Sequence, residues 1–221
     1  MSNVKISAGN AKLGSIPSVS LPAGVTCRKD CECNKKCYAQ RLERLRPAVK
    51  QAYQHNYTLL NEQPEVYWRE VEASIMMSRF FRFHVSGDIP DRDYLNQMIT
   101  IASRNTHCEI LCFTKKYDIV NEYILDMYAK HLAGTSITIE SRDVLPGLFI
   151  PKNLHIVLSG WVGLEMDNPY GLPEAHVRYR NGETTAREDA KECGGNCTEC
   201  LLTEGGCWSL KSGEQVVFNE H

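Results

Sequence analysis

The 221-residue chain has no run of eighteen apolar residues, no internal repeat, no low-complexity tract and no signal-peptide architecture in its opening MSNVKISAGNAKLG. The first absence excludes a membrane-spanning helix, and the last points to a cytoplasmic protein. Charge of one sign is not in excess either. Lys and Arg total 25 against 27 Asp and Glu, a net charge of −2, so no global field argues for nucleic acid or membrane partners. With 43% apolar and 24% charged residues, the composition is that of an ordinary globular chain. The charge is uneven only locally: residues 1–60 carry ten Lys and Arg against Asp30, Glu32 and Glu43. Such surroundings lower thiol pKa values and favour an anionic ligand, although a solvated helix face explains the same charges.

What the chain does have is ten cysteines. Seven fall into two groups: Cys27-x5-Cys33-x3-Cys37, with Cys31 inside it, and Cys193-x3-Cys197-x2-Cys200-x6-Cys207. In a reducing compartment, clustered cysteines read as metal ligands or redox groups before disulfides. Thiolates are soft, so three or four together select zinc or an iron–sulfur cluster over hard cations. Structural zinc favours paired C-x2-C knuckles, which are missing here, and the irregular spacing tilts the expectation to a four-iron, four-sulfur centre. One or two such centres can form, and zinc remains open for one of the groups. The Cys193-x3-Cys197-x2-Cys200 spacing equals that of radical S-adenosylmethionine enzymes, but no strand and helix follow it. The first group stands where such a barrel keeps its ligands, yet its spacing differs. Whether S-adenosylmethionine binds is therefore left open. Cys108 and Cys112 lie in an apolar stretch and read as core.

Hydrophobic periodicity predicts alternating elements. A strand within 18–25 precedes the first cysteines, and a helix over 36–61, interrupted at Pro47, follows them. Next come a helix over 64–78, a strand over 80–85, a helix over 91–104 and a strand over 109–114. A helix over 118–132 and strands over 136–140, 154–158 and 175–179 complete the series. About six βα units imply an α/β fold, a partial or small TIM-like (β/α) barrel over 1–180. Residues 181–221, glycine-rich and weakly periodic, form a cysteine-rich segment that needs a metal staple and packs on the barrel.

Polar residues at strand carboxyl ends face the active site in such folds. The candidates are His84, Ser86, Asp88, Thr114, Lys115, Ser141, Arg142, Ser159 and Trp161. Of these, His84, Ser86, Asp88 and Lys115 are the expected catalytic set, positioning a ligand or moving protons. Each has a plainer explanation: a satisfied core histidine, a strand-end turn, a solvated Lys115-Lys116 pair. Trp208, beside Cys207, is placed to shield a centre from water.

Several stretches together resemble the phage gene product 88-like family. They are Thr26-Cys27-Arg28, Cys33-Asn-Lys-Lys-Cys37-Tyr38-Ala39, Phe83-His84-Val85-Ser86-Gly87-Asp88, Phe113-Thr114-Lys115-Lys116, Cys193-Gly-Gly-Asn-Cys197-Thr-Glu-Cys200, Cys207-Trp208 and the final Val217-Phe218-Asn219-Glu220-His221. The resemblance spans nearly the whole chain. It implies a phage origin, a radical SAM-like architecture and metal ligation by Cys27, Cys33, Cys37, Cys193, Cys197, Cys200 and Cys207. Cys31 is outside the family's pattern.

The expectation is a phage-encoded iron–sulfur protein of the infected cell's cytoplasm. Cys27, Cys33 and Cys37 would hold a cluster with an open iron at the barrel mouth, for redox or sulfur-transfer chemistry on a small or sulfur-containing ligand with an unidentified electron donor. Nucleic acid is not an expected partner on this reading. The alternatives are a noncatalytic, zinc-stapled module that binds a host protein or nucleic acid through its basic region, and a radical S-adenosylmethionine enzyme.

Overall fold

The computed structural model describes residues 3–133, 149–202 and 206–220. The strand expected at 136–140 and the candidates Ser141 and Arg142 lie outside the described residues. Seven strands form one parallel sheet in the order β1-β2-β3-β4-β5-β7-β6. They are β1 (Ser18–Val19), β2 (Phe80–Phe83), β3 (Glu109–Thr114), β4 (Leu154–Ser159), β5 (Glu174–Arg178), β6 (Lys191–Glu192) and β7 (Gln215–Asn219). The α/β class and parallel pairing expected from the alternating pattern are present. Among the described residues the sheet is open, with β1 and β6 as unjoined edges. Residues beyond 181 do more than cover the sheet, because they supply β6 and β7, with β7 seated between β5 and β6.

One sheet face is covered by helices α2 (Pro47–Glu62), α3 (Pro64–Met76), α4 (Arg92–Arg104) and α5 (Tyr117–Leu132), while α1 (Tyr38–Leu45) lies over the strand ends. The expected break at Pro47 is real. Arg46 leaves helical geometry, and Pro47 opens α2 at a position where its missing N–H costs nothing. Period-two alternation sends Phe81, Phe83, Ile110 and Cys112 toward these helices, into a core with Tyr67, Val71, Ile75, Leu95 and Met98. Cys108 and Cys112 are wholly buried, as expected. Full burial of each such apolar side chain stabilises the fold by roughly 1.5–3 kcal/mol.

The opposite, inner face carries Phe80, Leu111, Phe113, Val157, Ala175 and Val216 and is covered by the two chain ends. Leu13 and Ile16 from the amino-terminal loop pack there with α6 (Cys197–Leu202) and the short 3-10 turn Cys207–Ser209. The Cys197 N–H donates to the Lys12 carbonyl at 2.8 Å, which ties the ends together.

Candidate metal centre and strand-end site

The first cysteine loop lies over the carboxyl ends of β2, β3 and β4. After Thr26 the chain turns through Cys27 to Cys31, runs through a 3-10 turn at Glu32–Lys36 and enters α1 directly after Cys37. Two buried carboxylates brace this loop. Asp88 accepts from Thr114 Oγ1 at 2.6 Å and from the Lys115 N–H at 2.9 Å, while its own N–H donates to Thr26 Oγ1 at 2.9 Å. Glu43, on α1, accepts at one oxygen from the Ala23 N–H at 2.9 Å and the Ser86 hydroxyl at 2.8 Å. Burial pushes the Asp88 carboxyl above its ordinary range, opposed by those hydrogen bonds.

Between these braces stands Gly87, with φ +81°. A Cβ there would lie 2.7 Å from the Leu21 carbonyl oxygen and 2.8 Å from Thr26 Oγ1. Only glycine takes both the left-handed backbone and this close approach. The Ser-Gly-Asp turn is thus the wedge against which the segment leading into Cys27 is set.

Cys27, Cys31, Cys33 and Cys37 lie close enough to act on one another's charge, with Lys115 among them. Burial raises the Cys27 pKa, while the Gly24 N–H, 3.4 Å from its sulfur, and the Lys115 ammonium oppose the rise. The hydrogen bond between the Cys31 and Cys33 side chains makes Cys31 the more acidic of the two and Cys33 the less. The Lys115 ammonium sits 6.0 Å over the Trp161 ring, and Trp161 meets Tyr179 edge-on at 5.3 Å. Tyr38 donates to the Val85 carbonyl at 2.6 Å, and Tyr117 to that of Ser159, closing the rim. Two open depressions of about 440 Å³ flank the loop. One is lined by Thr26 to Asp30 with Asp91 and Lys116, the other by Glu32, Lys35 and Lys36 with Trp161 and Tyr179.

The expected catalytic set divides on inspection. Lys115 is at the mouth beside the thiols. Ser86 and Asp88, 4% and 6% exposed, are brackets behind them. His84 lies deeper. β2 ends at Phe83 rather than at Val85, and His84 takes φ +58°, the sole positive φ among the described non-glycine residues. That turn sends the ring into the helical core. Its Nε2 lies 3.1 Å from the Tyr94 hydroxyl and its Nδ1 3.8 Å from the Cys112 sulfur, and Tyr94 continues to Tyr67 at 3.0 Å. Burial holds the imidazole neutral, its pKa pulled down to about 3.

The second group also interacts within itself. Cys207 feels the charges of Cys193, Cys197 and Cys200, and burial raises its pKa to about 12. Burial likewise raises Cys197 and Cys200. Cys197, Cys207 and Trp208 are each 8% exposed, inside the apolar cover of the inner sheet face. Among the described residues no three His, Cys, Asp or Glu side chains close on a single metal-ion position, nor is any helix long and apolar enough to cross a membrane.

Two residues with a part in the site were missed in the sequence. Glu43 sits in Gln-Arg-Leu-Glu-Arg, a run that reads as solvated, and only packing of α1 over the strand ends buries it. Arg82 alternates with phenylalanines in β2, which the pattern alone assigns to a sheet face without saying what covers that face.

No curated protein and no solved structure matches the chain. A profile of the family described as gene product 88 matches residues 2–161, which hold β1 to β4, α1 to α5 and the whole first cysteine loop. The chain belongs to the gene product 88 family.

Proposed function

We propose that this chain is a phage-encoded iron–sulfur protein of the infected cell's cytoplasm, with a cluster held by Cys27, Cys33 and Cys37 that supports redox or sulfur-transfer chemistry. The observation carrying the reading is the grouping of these thiols around Lys115 at the strand carboxyl ends. The donor set fits the group. Soft thiolates suit iron–sulfur chemistry, and a lysine among them favours the deprotonated form that ligation needs. A single ion would draw its ligands to one point at about 2.3 Å each, whereas a four-iron cluster takes each thiolate on a different iron.

With three protein ligands, such a cluster supplies an iron with a free coordination position. The chain's own residues set the surroundings. Lys115 holds positive charge at the mouth and attracts an anionic ligand. Asp88 and Glu43 fix the loop's entry, and Trp161 with Tyr179 walls the adjoining depression. His84, neutral and enclosed, supports the strand end from behind. The strand order β1 to β5, advancing steadily in one direction, is how a (β/α) barrel begins to wind, so we read the sheet as a partial barrel left open beyond β6.

The second group, four thiols in an apolar shell beside Trp208, suits a closed structural centre, iron–sulfur or zinc. It would staple the chain ends to the inner face. Anaerobic purification with iron, sulfide and zinc analysis tests the proposal. About four irons per chain with matching sulfide mean one cluster, and about eight mean two. Colourless, redox-silent protein with stoichiometric zinc would sink the iron–sulfur reading and favour the binding module.

A further inference from the structure

Between the two cysteine groups the inner sheet face carries three cations that form no ion pair among the described residues. The Arg82 guanidinium lies 4.9 Å from the centre of the Phe113 ring, and the Lys12 ammonium 4.5 Å from that of Phe218. The two rings meet edge-on at 5.8 Å, so the cations share one aromatic floor. Lys115 stands over Trp161 at the end of the same strip. The Nε of Arg82 is fully buried and has no acceptor. Stacking on an aromatic face stabilises a cation only modestly, whereas a buried donor left unmatched is destabilising. The neighbouring inward residues Leu111, Val157, Ala175 and Val216 are apolar, and Glu109 is held by His155 at 2.6 Å.

Resting on the reading of the first cysteine group as the reactive centre, we propose that this strip seats the acid group of the substrate. The substrate is a small organic carboxylate, held by the Arg82 fork with its apolar body on Phe113 and Phe218. The planar guanidinium matches a carboxylate in two parallel hydrogen bonds. Inorganic phosphate would meet the same guanidinium but has no apolar body to lay on the Phe113 and Phe218 rings. The charge of Arg82 also reaches Cys197 and Cys207, yet no thiol accepts from its Nε, and the half-buried side chain leaves the outer end of the guanidinium to meet a ligand. A carboxylate placed there would direct the rest of a small molecule along the strip toward Lys115 and the first cysteine group.

The test titrates benzoate into anaerobically purified full-length protein, followed by ligand-observed NMR, with iron, sulfide and zinc measured on every sample. Saturable binding is expected, weakened at least tenfold in R82Q, partly restored in R82K and reduced two- to fivefold in K12Q, with metal content unchanged. Inorganic phosphate at the same concentration should bind more weakly. Equal benzoate binding by wild type and R82Q, or phosphate binding as tight as benzoate, would overturn the proposal. So would loss of metal in R82Q and R82K, which would make Arg82 a counter-charge to the second group. Iron-loaded protein that ignores benzoate refutes the carboxylate seat alone. Iron-free protein that binds benzoate through Arg82 supports the seat and refutes the iron–sulfur reading.

Discussion

Replacing Gly87 by alanine isolates the wedge on which the first cysteine loop depends. Two costs add. A Cβ on a left-handed backbone costs about 1–2 kcal/mol. The contacts of 2.7 Å to the Leu21 carbonyl and 2.8 Å to Thr26 Oγ1 are with a main-chain atom and a buried hydroxyl, neither of which is a flexible tip. Overpacking of that kind costs about 1–3 kcal/mol, so G87A should lose about 2–5 kcal/mol. Gly163 provides the internal control. Its φ is +80°, yet an added Cβ would meet nothing within 4 Å. G163A should therefore lose only the conformational part, about 1–2 kcal/mol, and the unfolded-state gain from alanine is common to both variants. Urea unfolding of the two proteins gives the steric term as their difference. Because Leu21 and Thr26 lead into Cys27, G87A should also lower iron retention at the first group while G163A does not. Equal stability losses in the two variants would refute the argument that Gly87 is set by close approach.

Three further outcomes follow from the same contacts. His84 is buried with its pKa pulled down to about 3, against 6.5 when exposed, so between those values the unfolded chain takes up a proton that the folded chain refuses. Stability contributed by His84 is whole above pH 6.5 and falls as pH drops toward 3, by up to roughly 5 kcal/mol. H84N, which tolerates the left-handed backbone, should flatten that part of the profile. The opposing slope from Asp88 is common to both proteins, so parallel profiles would mean that His84 is not held neutral. Asp91 caps α4 by accepting from the Tyr94 N–H at 2.9 Å, so D91A should cost about 1 kcal/mol in denaturant titration. Cys108, buried just before β3, should be replaceable by alanine without change in iron or zinc content, in contrast to any of the seven grouped cysteines.

The alternation of apolar runs and amphipathic stretches made most of the sheet and helices readable, because the central strands β3 and β4 are buried on both faces and the helices on one. Pro47 announced the break between α1 and α2 for the simple reason that proline opens a helix well and continues one badly. β7 was not read from the pattern: Gln-Val-Val-Phe-Asn is short and embedded in a glycine- and cysteine-rich stretch without periodicity, and only its pairing with β5 and β6 makes it a strand. The cysteine grouping was legible from spacing, and the burial of Cys108 and Cys112 from their apolar neighbours. What sequence could not give was depth. His84 and Asp88 share one strand-end turn, yet the left-handed backbone at His84 sends its ring into the helical core while Asp88 binds the loop above. Arg82 and Glu43 belong to the same class of residue, since their roles come from elements distant in sequence closing over them.

The central claim is that Cys27, Cys33 and Cys37 hold an iron–sulfur cluster. Iron and acid-labile sulfide in anaerobically purified wild type, compared with C27A, C33A and C37A singly, test it most directly. The account predicts a brown wild-type protein with about four or eight irons per chain, and a loss of about four in each of the three variants. Full iron and sulfide content in all three, or a wild type that carries zinc and no sulfide, would contradict it.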